Sequence, residues 1–152
     1  MTISFIGHSF INRDEKIKQA VKNEIQKNYA KGDTITCYLG AHGRFDEICA
    51  SACKELKNEG LPIERVYVSP YITLAEQAKI DELIKSGAYD TSIYPPIESS
   101  PPKFAILKRN EWMIANASLI ISFVHHEYGG AYTSLKIAKR MKKTIINVFD
   151  CI

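Results

Sequence analysis

The apolar positions of this chain switch repeatedly between a short continuous period and a helical one. Thr2 to Ile6 is a β-branched and aromatic run that ends at Gly7 and predicts a strand. Asp14 to Tyr29 then places Ile17, Ala20, Val21 and Ile25 at helical spacing. After the Gly32-Asp33 turn the alternation repeats: Thr34 to Leu39 predicts a second strand, and Phe45 to Asn58, closed by Gly60, a second helix. Glu64 to Ser69 gives a third strand, Leu74 to Lys85 a third helix, and Thr91 to Tyr94 a short fourth strand.

The pattern pauses at Tyr94 to Pro102, which holds four of the six prolines and predicts neither helix nor central strand. It is expected to be an ordered connection or a lid beside a ligand. Lys103 to Asn116 resumes as helix, Leu119 to Val124 predicts a buried strand, Ala131 to Met141 the last helix and Thr144 to Val148 the closing strand. Strands separated throughout by helical segments imply right-handed crossovers. The expected fold is α/β and Rossmann-like, a largely parallel sheet with helices on both faces.

Composition narrows this picture. At 152 residues and 45% hydrophobic content the chain fits a single domain over residues 1–152. No apolar run is long enough to span a bilayer, and the N-terminus has no basic leader, so a soluble cytoplasmic protein is expected. Cys49 and Cys53 stand four apart on an apolar helix face, and with Cys37 and Cys151 they read as reduced core thiols. No metal site and no cofactor are expected. The net charge of +3 is too balanced for a nucleic-acid coat. Lys136, Lys139, Arg140, Lys142 and Lys143 cluster where cations complement a helix C-terminus, and a nucleic-acid contact is the less favoured reading.

Ligands of parallel sheets bind outside the carboxyl ends of the strands, so the loops after the strands carry the candidate chemistry. Gly7 and His8 follow the first strand; Gly40, His42, Gly43 and Asp46 follow the second; the run from His125 through Gly129, Gly130 and Ala131 to Thr133 follows the fifth. The Gly129-Gly130 pair reads as a turn whose backbone amides approach an anion at the start of a helix, a phosphate or ribose-phosphate site. Asp46 either caps its helix or accepts a ribose hydroxyl. His8 and His42 are exposed loop histidines or donors to phosphate or base. Arg109 offers a bidentate fork and Asn110 both donor and acceptor, while Glu111 and Glu127 are either solvated or general acid–base groups.

Gly40-Ala41-His42-Gly43-Arg44-Phe45-Asp46, Arg109-Asn110-Glu111-Trp112-Met113, Ala117-Ser118-Leu119-Ile120-Ile121, Gly129-Gly130-Ala131 and Lys143-Thr144-Ile145-Ile146-Asn147 together resemble the SLOG superfamily. That group unites Rossmann-like domains of the DNA-processing protein and Lonely Guy types. The chain is most similar to its small stand-alone bacterial or phage members, over Ile3 to Val148. The resemblance implies a pocket for a nucleotide-derived ligand, since members include phosphoribohydrolases, sensors of cyclic ADP-ribose-like signals and single-stranded-DNA-binding proteins. Arg109 resembles an arginine near the substrate in the phosphoribohydrolase branch. The catalytic glutamate of that branch is replaced by Lys136, and Tyr132 stands for the last glycine of its motif.

The leading expectation is a sensor or sequestering protein for a nucleoside monophosphate, ADP-ribose or a cyclic ADP-ribose type of ligand. The first alternative is cleavage or transfer at an N-glycosidic bond with Glu111 or Glu127 as catalyst, and the second a single-stranded nucleic-acid-binding accessory factor. A homodimer is expected, as SLOG domains often self-associate.

Overall fold

The computed structural model describes residues 1–152. The chain runs β1 (Thr2–Gly7), α1 (Asp14–Asn28), β2 (Ile35–Leu39), α2 (Arg44–Asn58), β3 (Ile63–Val68), α3 (Leu74–Lys85), β4 (Thr91–Ile93), α4 (Ala105–Ala115), β5 (Leu119–Phe123), α5 (Gly129–Arg140) and β6 (Thr144–Asn147). Single 3₁₀ turns, Pro102–Phe104 and Val148–Cys151, precede α4 and follow β6. The six strands are all parallel in the order β4-β3-β2-β1-β5-β6. The chain winds outward from β1 in one direction as far as β4, crosses back to β5, and finishes at the opposite edge. The reversal falls between β1 and β5.

Side-chain alternation along the central strands feeds two cores. Ile3 and Phe5 of β1 and Leu119, Ile121 and Phe123 of β5 join α1, α2 and Ile80 of α3 on one face. Ile6 and Ile120 face the other way, against Ile114 of α4 and Leu135, Ile137 and Ala138 of α5. Met113 of α4 meets Val66 and Val68 of β3 on that same side. Each fully buried isoleucine or leucine contributes about 1.5–3 kcal/mol by leaving water, and this burial fixes the register of the strands. All four cysteines are free; Cys37, Cys49 and Cys53 are buried as expected, but Cys151 is exposed and not in the core, because it lies in the 3₁₀ turn beyond the last strand. No helix is long and apolar enough to cross a membrane.

Two boundaries depart from the sequence expectation for identifiable reasons. The helix expected from Lys103 begins at Ala105, because Pro101 and Pro102 restrict the backbone to one tight turn first. The Gly129-Gly130 pair, expected to precede its helix as a turn, forms its first two residues: Gly129 has φ +88°, which lets the chain leave extended Tyr128 and enter α5 at once.

Candidate functional site

A cavity of about 670 Å³ opens at the carboxyl edge of the sheet, where β1 and β5 diverge into their loops. That volume suits a ligand of nucleotide size. Gly7 and His8 line it from the end of β1, Gly40 and His42 from the β2–α2 connection, and Asp46 from the first turn of α2. Arg109 and Asn110 of α4 face Gly129, Gly130 and Ala131 at the start of α5. Ten of the residues singled out in the sequence therefore share one space, although they come from four different elements and the two loops after β1 and β2.

Arg109 dominates the electrostatics. It is only 2% exposed, and its Nη1 donates to the carbonyls of Gly40 at 3.1 Å and Val68 at 2.8 Å, while Nε donates to Asn110 Oδ1 at 2.9 Å. These bonds fix the guanidinium plane beneath the ends of β2 and β3. A Cβ at Gly40 would lie 3.0 Å from Arg109 Cζ and Nη2, so glycine there makes room for the fork. No carboxylate reaches ion-pair distance of Arg109. Burial lowers its pKa, and the more distant charge of Asp46 opposes that shift. A guanidinium withdrawn from water without a paired carboxylate favours an incoming anion.

The amides at the N-terminus of α5 face the same space. No side chain caps this helix, so its first N–H groups are free for a ligand, and the helix dipole adds positive potential. Asp46, the only carboxylate on the cavity wall, accepts from the backbone N–H of His42 at 2.9 Å and so ties the β2–α2 loop to its helix. Burial raises its pKa to about 6, against the lowering influence of the His42 N–H and Arg109. That bond reaches a loop N–H ahead of the Gly43 N-cap, and no side chain caps α2, so Asp46 braces the loop and does not perform the capping role open from sequence.

His8 is 6% exposed and accepts at Nε2 from the backbone N–H of His125, at 3.0 Å. Its proton is therefore on Nδ1. Burial, then the neighbouring His126 and His125, lower its pKa to about 4, so the ring is neutral near neutral pH. His8, His125 and His126 bring ligand atoms within 4.8 Å of one another, a grouping the expectation of no metal site did not foresee. The His8 Nε2 lone pair is already engaged and Nδ1 is protonated, so the trio could coordinate an ion only by giving up the bond to His125.

The doubly wound sheet, its switch point and a cavity at the carboxyl edge define the architecture. It is Rossmann-like. The chain is similar to a solved structure of DNA processing protein A from Helicobacter pylori, described for its single-stranded DNA binding mode, with a TM-score of 0.58 and 18% identity. The match covers 95% of this chain and 63% of that one, so the chain spans less than two thirds of that relative. It also aligns with the molybdenum cofactor carrier protein from Chlamydomonas reinhardtii, at TM-score 0.49 and 13% identity over 95% of this chain and 74% of that one. No family model and no curated protein matches the sequence. At 18% identity the likeness to DNA processing protein A is one of fold.

Within this Rossmann-like frame, several residues expected at the site stand apart from it. Gly43 lies on a neighbouring cleft with φ +94°, where a Cβ would approach Ser9 Cα to 2.9 Å, so packing explains this glycine. Thr133 is exposed, and its hydroxyl donates back to Gly129 O at 3.1 Å. Glu111 pairs with Lys108 at 3.3 Å and Glu127 is exposed; neither lines the cavity. The proline-rich segment does not line it either: Ile97 N donates to Pro95 O and Ser100 N to Ile97 O, which folds it into successive turns ahead of α4. Phe10 and Ser134 line the cavity outside the loops singled out in the sequence, and His125, His126 and Tyr128 line it within the run named as His125 to Thr133 but without an individual role. Phe10 follows the first glycine loop and the other four belong to or follow the third, after β5, which was the available signal.

Proposed function

We propose that this chain is a SLOG-like protein that binds a nucleotide-derived anion, as a sensor or sequestering protein, in the cavity between β1 and β5. The buried Arg109, held by carbonyls and lacking a carboxylate partner, is the observation that supports this reading. The phosphate of the ligand would sit between the guanidinium and the free amides of Gly129, Gly130 and Ala131. The neutral His8 keeps Nδ1–H as a donor on the same wall, since that atom makes no bond within the protein while Nε2 is engaged. Ser134, 4% exposed, adds a hydroxyl there.

A thermal-shift panel of nucleoside monophosphates, ADP-ribose and cyclic ADP-ribose isomers, followed by analysis of the recovered ligands, tests the proposal. Binding raises apparent stability by mass action. The expected result is a stabilising ligand recovered unchanged, with the shift lost in Arg109→Met. No shift with any nucleotide would end this reading.

Cleavage at an N-glycosidic bond is the second reading, and one observation favours it. Asp46 is a carboxyl with a pKa near 6 on the cavity wall, suited to proton transfer near neutral pH. Under this reading Asp46 would take the acid–base role first assigned to Glu111 or Glu127. Recovered free base and ribose phosphate, abolished in Asp46→Asn, would establish hydrolysis in place of sequestration.

A further inference from the structure

Three rings form a continuous column at the mouth of the cavity. His126 stacks on His8 with centroids 3.7 Å apart and planes 15° apart, and Tyr128 stacks on the outer side of His126 at 3.8 Å and 15°. The column is braced at both ends. His8 is fixed by the N–H of His125, and His126 Nδ1 lies 3.0 Å from Tyr128 O, a carbonyl that only accepts, so that nitrogen donates. His126 is therefore tied to the backbone of the residue whose ring it carries. The column ends in an open face: Tyr128 is 70% exposed and lines the cavity. Phe10, 94% exposed, lines the same cavity from the β1–α1 loop.

Tyr128 uses one face to stack on His126 and leaves the other in water, so a free π-face is presented to the cavity. Its position directly before Gly129 puts it one residue from the amides offered to phosphate. A ligand with an anionic group at those amides and a planar ring beyond would extend the column by one member. We propose that the outer face of Tyr128 is the nucleobase platform of the cavity, with His126 and His8 as its rigid support. The proposal rests on the nucleotide-binding reading above and adds to it that the base, rather than the sugar phosphate alone, is recognised by stacking. Stacking tolerates every base, so discrimination among bases would come from other groups.

Calorimetric titration of AMP, GMP, CMP and UMP, with ribose 5-phosphate as the base-free probe, separates the two readings. The variants are Tyr128→Ala, Tyr128→Phe and Arg109→Met; an exposed tyrosine can be replaced without disturbing the core. The expected result is that all four nucleotides weaken about tenfold or more in Tyr128→Ala and are retained in Tyr128→Phe. Ribose 5-phosphate should bind both Tyr128 variants as it binds the wild type, and Arg109→Met should lose every probe. If Tyr128→Ala weakens nucleotides and ribose 5-phosphate equally, or neither, the platform is refuted while dependence on Arg109 keeps the cavity reading. If the wild type binds none of the five probes and neither ADP-ribose nor a cyclic ADP-ribose isomer, the cavity reading fails and the platform with it.

Discussion

Arg109 brings stability and binding into opposition. Its desolvation is unfavourable to the folded state, while its two carbonyl bonds are favourable, and losing such bonds costs about 1–3 kcal/mol for the groups left unpaired. Replacing the buried cation by an apolar residue of similar length removes the desolvation cost, which offsets the lost bonds. Arg109→Met should therefore hold the melting temperature within a few degrees while anion binding falls by about 2–5 kcal/mol. A variant that unfolds would show that Arg109 is kept for the fold. The titratable groups of the wall give a second prediction, with opposite signs. Between pH 6.5 and about 4 the unfolded chain binds a proton at His8 that the folded chain lacks, so this contribution is complete above pH 6.5 and is lost as pH falls. Asp46 runs the other way: from its ordinary 3.8 to about 6 the folded chain holds the proton, so its contribution is lost as pH rises. Across pH 4 to 6 the two oppose each other. Thermal melts of Asp46→Asn should climb more steeply with pH over this window than those of the wild type, and parallel curves would show that Asp46 does not hold its proton.

At the scale of the element, the start of α5 shows what a glycine is for. A Cβ at Gly7 would lie 2.2 Å from Cγ of buried Phe45, so Gly7→Ala must displace a core ring and should destabilise the fold by several kcal/mol, read by denaturant unfolding. A Cβ at Gly130 would meet nothing within 4 Å, and its φ is not positive. Gly130→Ala should then leave stability unchanged or raise it by about 0.5–1 kcal/mol, as alanine does in a helix. If phosphate approaches these amides closely, the same variant weakens nucleotide binding; unchanged affinity would place the anion elsewhere. The helices and strands were legible because burial on both faces of a parallel sheet writes apolar runs such as Leu119 to Phe123, and because the helices repeat apolar residues at their own period. The loops that meet at the cavity were legible through the rule of the carboxyl edge. The work of Arg109 was not: its partners Gly40 and Val68 lie 69 and 41 residues away, and no local pattern records a bond of that span. His8 and His125, 117 residues apart, were hidden for the same reason. Glu111 and Glu127 carried suitable chemistry but no signal of direction, and neither lines the cavity.

For the whole molecule, the separation of charge from cavity decides how a nucleic-acid role would relate to the nucleotide site. Helix α5 begins at the carboxyl edge of the sheet and runs twelve residues, about 18 Å, toward the opposite edge. Lys139 and Arg140 in its last turn, with Lys142 beyond, therefore stand at the far end from Gly129. Lys143 is already engaged, donating to the carbonyls of Ala115 and Ala117, each at 3.0 Å. These cations complement the C-terminal dipole of α5 and are too distant to hold a phosphate in the cavity. A separation of this size exceeds the screening length of about 8 Å at physiological salt. Charge reversal at Lys139 and Arg140 should thus leave mononucleotide affinity unchanged. Any binding of single-stranded DNA that depends on this cluster should weaken steeply with salt and disappear in the same variant. Loss of mononucleotide binding together with the strand would mean that cavity and cluster act as one surface, which for a monomer this geometry forbids and a homodimer would permit. Light scattering on the same samples reads that alternative directly: a species of twice the chain mass would bring the basic end of one copy within reach of the cavity of the other.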